Sequence, residues 1–100
     1  MDTKRYRKIP LDKELAKRAR LLALAGDETR IRILCFMFEY GSACVSDIAK
    51  SLGVHINTIS HHLRIMKDNG FFTSARTGTT ICYKLSVNDF TESLKKAICE

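Results

Sequence analysis

Seven side chains in this 100-residue sequence have the types to make or break bonds: Cys35, Cys44, Cys82, Cys99, His55, His61 and His62. A thiolate is a nucleophile, a redox centre and a soft-metal ligand, while an imidazole carries protons, binds metal or holds a hydrogen bond. Spacing narrows these options. No Cys-x-x-Cys pair occurs, which argues against a zinc ribbon or a thioredoxin-like dithiol. Cys44-Val45-Ser46 offers one thiol alone, a weak metal candidate. The histidines all fall between positions 55 and 62, and no Gly-rich loop could cradle a phosphate. A nucleophile beside an oriented base is therefore not in view, and an enzyme is not expected. Cys35 and Cys99 can act together only if the fold brings their Cα atoms within about 7 Å.

The elements that must position these groups follow from patterning. Composition is that of an ordinary globular chain, 45% hydrophobic and 28% charged, so wholesale disorder is excluded. One hundred residues make one domain, 1–100, with a single modest core. The longest apolar run, Ile33 to Phe38, is too short to cross a membrane, and no apolar leader follows the basic start. The expected location is the cytoplasm, with all four cysteines reduced. Of the net charge of +6, most lies early: residues 1–20 hold eight Lys or Arg against three acids. Residues 1–9 read as a basic arm, either a solvated tail or a grip on a polyanion.

Four helices come first. Leu15, Ala19 and Leu22 share a face of a helix over 11–24, and Gly26 stops it. Asp27 caps a second helix over 28–40, apolar nearly all round and so expected to be central. A short third helix spans Val45 to Leu52, with Gly53 at its end. The fourth starts near Asn57; Ile59, Leu63 and Met66 face inward, while His61, Arg64 and Asp68 face out. Alternation from Phe71 to Arg76 and from Thr80 to Leu85 about Thr77-Gly78-Thr79 predicts a β-hairpin. On its second strand Cys82 points outward, an isolated exposed thiol. A last helix spans Asp89 to Cys99, with Phe90, Leu94 and Ile98 as its stripe. The order is α-α-α-α-β-β-α, mainly α with a small β-hairpin wing.

Two short helices joined at a Gly turn and followed by a hairpin describe a winged helix-turn-helix. The sequence also resembles the ArsR/SmtB-type bacterial and archaeal repressors. The likeness is carried by residues 25–34 (Ala-Gly-Asp-Glu-Thr-Arg-Ile-Arg-Ile-Leu), by Val45-Ser46-Asp47-Ile48-Ala49 with Leu52-Gly53, and by Thr58-Ile59-Ser60-His61-His62-Leu63. It spans about Leu21 to Leu85. The resemblance implies a repressor that binds a double-stranded DNA operator as a homodimer, paired through its first and last helices, and lets go when an inducer binds.

The same resemblance implies that the fourth helix presents His55, Ile56, Asn57, Ser60 and His61 to DNA. Asn57 suits adenine, and Ser60 or His61 a base or phosphate. Arg64, Lys67 and the wing's Arg76 are expected at phosphates or in the minor groove. His55 replaces a Ser that usually caps this helix, with Asn57 as the expected substitute cap. His62 reads as a structural, hydrogen-bonded histidine. Neither familiar metal site of the family is complete, because one cysteine of its Cys-Val-Cys pair is replaced by Ser46 and the last helix lacks His. Cys35 and Cys99 instead look like the thiol pair of a redox- and persulfide-sensing branch, which implies a thiol-reactive inducer. The plain reading of the residues makes Cys35 a small core hydrophobe and Cys99 a frayed terminal residue, with no sensing by cysteine. The alternatives are a soft metal on a non-standard thiolate site, and a winged-helix module that binds protein rather than DNA.

Overall fold

The computed structural model describes residues 5–99. Residues 1–4 of the expected basic arm lie outside them; residues 5–12 are exposed. Helix α1 spans Lys13–Ala25, beginning two residues later than its periodicity predicts, because Asp12 accepts the Leu15 N–H at 2.8 Å and caps it. Helix α2, Glu28–Tyr40, is capped by Asp27, which accepts the Arg30 N–H, and ends at Gly41 with φ 79°. The chain then makes strand β1 (Ser42–Cys44), helix α3 (Val45–Leu52), helix α4 (Ile56–Asp68), strands β2 (Phe72–Thr77) and β3 (Thr80–Leu85), and helix α5 (Asp89–Cys99).

The expected order lacked β1. Its three residues pair antiparallel with β3, giving a sheet of order β1-β3-β2 rather than a free hairpin. Gly78 and Thr79 form a two-residue loop with positive φ at Gly78 alone, the pattern of a type II′ turn.

The core is built on α2, as its all-round apolarity predicts. Ile33, Leu34 and Met37 are fully buried against Ile48 of α3, Ile59, Leu63 and Met66 of α4, and Phe71, Phe72 and Tyr83. Each such side chain contributes about 1.5–3 kcal/mol of burial. Helix α5 lays Leu94, Phe90 and Ile98 on this cluster. Its start is fixed by a reciprocal pair: Asn88 accepts the Thr91 N–H, and Thr91 Oγ1 accepts the Asn88 N–H, both at 3.0 Å.

Helix α1 behaves differently. Only Leu21, Leu24 and Ala25 near its end reach the core. The stripe predicted to be buried is in water, with Leu15 43% and Leu22 56% exposed and Ala19 exposed as well. The radius of gyration is 16.7 Å, against about 13 Å for a compact chain of this length. Among the described residues, only the end of α1 packs on the rest of the chain, and its first half stands in solvent.

Candidate nucleic-acid interface and thiol pair

Helix α3 ends in a Schellman turn: Gly53 adopts φ 67° and ψ 32°, Val54 N–H reaches Ala49 O at 3.1 Å, and Gly53 N–H reaches Lys50 O at 3.3 Å. A side chain there would meet no atom within 4 Å, so the demand for glycine is conformational rather than steric. The turn sends α4 across α3, and Ile59, Leu63 and Met66 fix its rotation by being fully buried. Asn57, His61, Arg64 and Lys67 are thereby left exposed along the opposite side, with Ser60 half-buried among them and Ile56 45% exposed at the helix start. The sequence places these residues on one face through the i, i+3, i+4, i+7 spacing, and the fold keeps that face open.

His55, not Asn57, caps this helix. Its Nδ1 accepts the Asn57 N–H at 3.1 Å. An imidazole that accepts at Nδ1 carries its proton at Nε2, so His55 presents one N–H donor beside the helix start. Arg76 is exposed on β2 opposite Ile81, two residues before the wing turn.

Two arginines of α2, to which sequence reasoning gave no role, hold the helix-turn-helix in place. Arg30 donates from Nε to His62 Nδ1 at 3.0 Å and from a terminal nitrogen to Leu24 O at 3.2 Å, joining the end of α1, the start of α2 and the middle of α4. Arg32 donates to Leu52 O at 2.7 Å, closing the free end of α3. The signal was a pair of cations flanking Ile31 just before the apolar run Ile33–Phe38. His62 is the structural histidine expected. Burial, and then the Arg30 guanidinium, hold its pKa below the usual 6.5, with neighbouring Asp27 opposing and His61 adding slightly.

Helix α5 packs on α2, and this brings Cys99 to Cys35. Their Sγ atoms are 3.4 Å apart and hydrogen-bonded, with Cys35 half-buried and Cys99 exposed. Burial, then the hydrogen bond to Cys99 and its charge, push the Cys35 thiol up from 9.0 to about 11. Two expectations fail at the other cysteines. Cys82 is not an isolated exposed thiol, nor is Cys44 a free metal ligand, because the two are joined in a disulfide. The reason is β1, which sets Cys44 directly opposite Cys82 in the sheet. With one disulfide formed, the chain also departs from the expected all-reduced state. Among the described residues no three His, Cys, Asp or Glu side chains gather where they could hold a metal ion, and no helix is long and apolar enough to cross a membrane.

Comparison with known proteins agrees with this arrangement. The family model described as bacterial regulatory protein, arsR family, matches residues 27–74, from the α2 cap into β2. An uncharacterized HTH-type transcriptional regulator of Methanocaldococcus jannaschii is 37% identical over 84 residues, spanning 84% of this chain and 93% of the relative. A cadmium resistance transcriptional regulatory protein CadC homolog of Staphylococcus aureus is 30% identical, over 85% of this chain and 74% of its own. Among solved structures, the AntR antimony-specific transcriptional repressor superposes with a TM-score of 0.79 over 99% of this chain and 90% of its own, at 22% identity, a likeness of fold. A homodimeric winged helix-turn-helix DNA-binding domain from Mycobacterium bovis superposes with a TM-score of 0.72 at 25% identity, covering 86% and 81%.

Proposed function

Because the chain belongs to the arsR family of bacterial regulatory proteins, we infer that it is an operator-binding transcriptional repressor whose grip on DNA is released by thiol chemistry at Cys35 and Cys99. The role is regulatory rather than catalytic, and cytoplasmic. One observation carries the thiol reading: a long, apolar core helix and the last helix hold two free sulfurs 3.4 Å apart.

In this reading α4 lies in the major groove. Asn57 pairs with adenine, His55 Nε2–H, Ser60 and His61 donate to base edges or phosphates, and Ile56 makes an apolar contact. Arg64, Lys67 and Arg76 neutralise phosphates or enter the minor groove. A second copy covers the exposed α1 stripe, with α1 and α5 forming the seam; the homodimeric state of the Mycobacterium bovis neighbour supports pairing of two copies.

Exposure makes Cys99 the attacking thiol and burial makes Cys35 the resolving one. Cys99 thiolate takes the outer sulfur of a low-molecular-weight persulfide, releasing the thiolate of the carrier. Cys35 then attacks the Cys99 sulfur that carries the persulfide and expels hydrosulfide, leaving a Cys35–Cys99 disulfide. The new bond pulls the end of α5 onto α2 and shifts the seam that spaces the two reading heads. Among the described residues a soft metal would find two sulfurs here, short of the three or four ligands such ions take.

The test is fluorescence anisotropy on DNA from upstream of the protein's own coding sequence. The reduced protein is compared with protein treated with a persulfide, with diamide or with cadmium. Loss of binding with persulfide or diamide, absent in a Cys99→Ser chain, is the expected result. Loss with cadmium alone would assign metal sensing, and no binding in any state would remove the repressor reading.

A further inference from the structure

Cys44 and Cys82 lie where the helix-turn-helix meets the wing within the single core. Cys44 ends β1 and is the N-cap residue of α3, where it makes no side-chain capping bond. Cys82 lies in the middle of β3, with Ala75 of the other wing strand on its far side. Leu85 N–H donates to Gly41 O at 2.9 Å, making that pair a hydrogen-bonded one. By alternation, Ser42 with Lys84 is non-hydrogen-bonded, Ala43 with Tyr83 hydrogen-bonded, and Cys44 with Cys82 non-hydrogen-bonded. At such positions facing side chains are closest, which is why the sulfurs meet. The strand that carries Cys44 has only three residues, so its grip on β3 is short. Both cysteines, like Cys35, are half-buried rather than sealed in the core.

We propose that Cys44 and Cys82 form a second redox site, a reversible clasp between the helix-turn-helix and the wing, whose oxidising substrate is a low-molecular-weight disulfide. One thiolate attacks the disulfide and releases the first small thiol. The second cysteine attacks the resulting mixed disulfide and releases the other. Two protein thiols become one bond, and one small disulfide becomes two thiols. Closed, the clasp fixes the wing against the N-terminus of α3; open, the wing is held by the short β1 ladder and its packing on the core. The site is separate from Cys35 and Cys99, which lie on α2 and α5.

The redox arm of the test does not depend on DNA. A chain carrying Cys35→Ser and Cys99→Ser is equilibrated in glutathione redox buffers and mapped by mass spectrometry. The expected product in oxidised glutathione is a Cys44–Cys82 cross-linked peptide, lost again in excess reduced glutathione. Single Cys44→Ser or Cys82→Ser chains should instead carry one glutathione on the remaining cysteine. Hydrogen exchange on the wild-type chain provides a readout that needs no variant. Amides of β1 and β3 should exchange about tenfold faster after reduction, with those of Met37 and Leu63 unchanged. Separate glutathione adducts on both cysteines, or equal wing exchange in the two states, would overturn the clasp. A second arm rests on the repressor reading: the closed form should bind promoter DNA about three- to tenfold tighter, through preorganisation of the wing. If neither form binds DNA, the repressor reading fails while the mapping and exchange results still decide the clasp. If both bind equally, the wing role is wrong.

Discussion

The raised pKa of Cys35 makes a quantitative claim about its reactivity. At pH 8 a thiol of pKa 9.0 is about 9% thiolate, whereas one of about 11 is about 0.1%, close to a ninetyfold loss of nucleophile. A more basic thiolate is also a better nucleophile, by a Brønsted slope near 0.4–0.5, and two units return about eightfold. The net is about a tenfold slower alkylation of folded Cys35 than of the same residue in the urea-unfolded chain, before access is counted. Half-burial can only add to that factor. The assay is a timed pulse of iodoacetamide on reduced protein, with each cysteine followed by peptide mass mapping from pH 7 to 11. The unfolded chain should level off near pH 9, and folded Cys35 should keep climbing until about pH 11. A Cys99→Ala chain should show partial recovery only, because burial is the largest cause and remains. If folded Cys35 reacts as fast as unfolded Cys35 throughout, the assignment of Cys99 as attacker and Cys35 as resolver is wrong.

Three other perturbations have defined outcomes. Arg76→Ala should weaken binding to every DNA sequence alike and reduce the magnitude of the log-affinity against log-salt slope by about one, measured by anisotropy titrations. Leu22→Glu, on the exposed face of α1, should leave helix content unchanged by circular dichroism and shift the sedimentation coefficient to that of a monomer. His62 has a folded pKa below its unfolded 6.5, so the unfolded chain binds more protons between those two values. Stability should therefore be full above pH 6.5 and fall as pH drops through that window. Urea unfolding of a His62→Gln chain should lose this part of the pH dependence while a His61→Gln chain keeps it.

Much of the fold was legible because local signals agreed. Asp27 and Gly41 bracket α2, Gly53 turns α3 into α4, and the Phe90, Leu94, Ile98 spacing marks α5. What was missed depends on partners far along the chain or on unusual chemistry. Strand β1 is too short to show alternation and exists because β3 is there to pair with it. The Cys44–Cys82 bond followed from that missed strand. His55 was passed over as a cap because Ser, Thr, Asp and Asn are the usual ones, yet an imidazole nitrogen accepts as well. Arg30 and Arg32 look like surface charges until the carbonyls and the imidazole they reach are placed by the tertiary fold. The α1 stripe was read correctly as amphipathic, but among the described residues nothing covers Leu15 and Leu22. The proximity of Cys35 and Cys99 rests on α5 packing along α2, which periodicity alone does not register.

That bare face of α1 has a consequence for gene control. In the proposed dimer the reading unit is a pair, so below the dimer dissociation constant the active species grows as the square of protein concentration. Halving the number of chains would then cut operator occupancy about fourfold in the dilute limit rather than twofold. The switch is thus set by copy number as well as by chemistry. A cell that stopped making this protein would fall from about 90% to about 10% occupancy over about three divisions of dilution, against about six for a monomer.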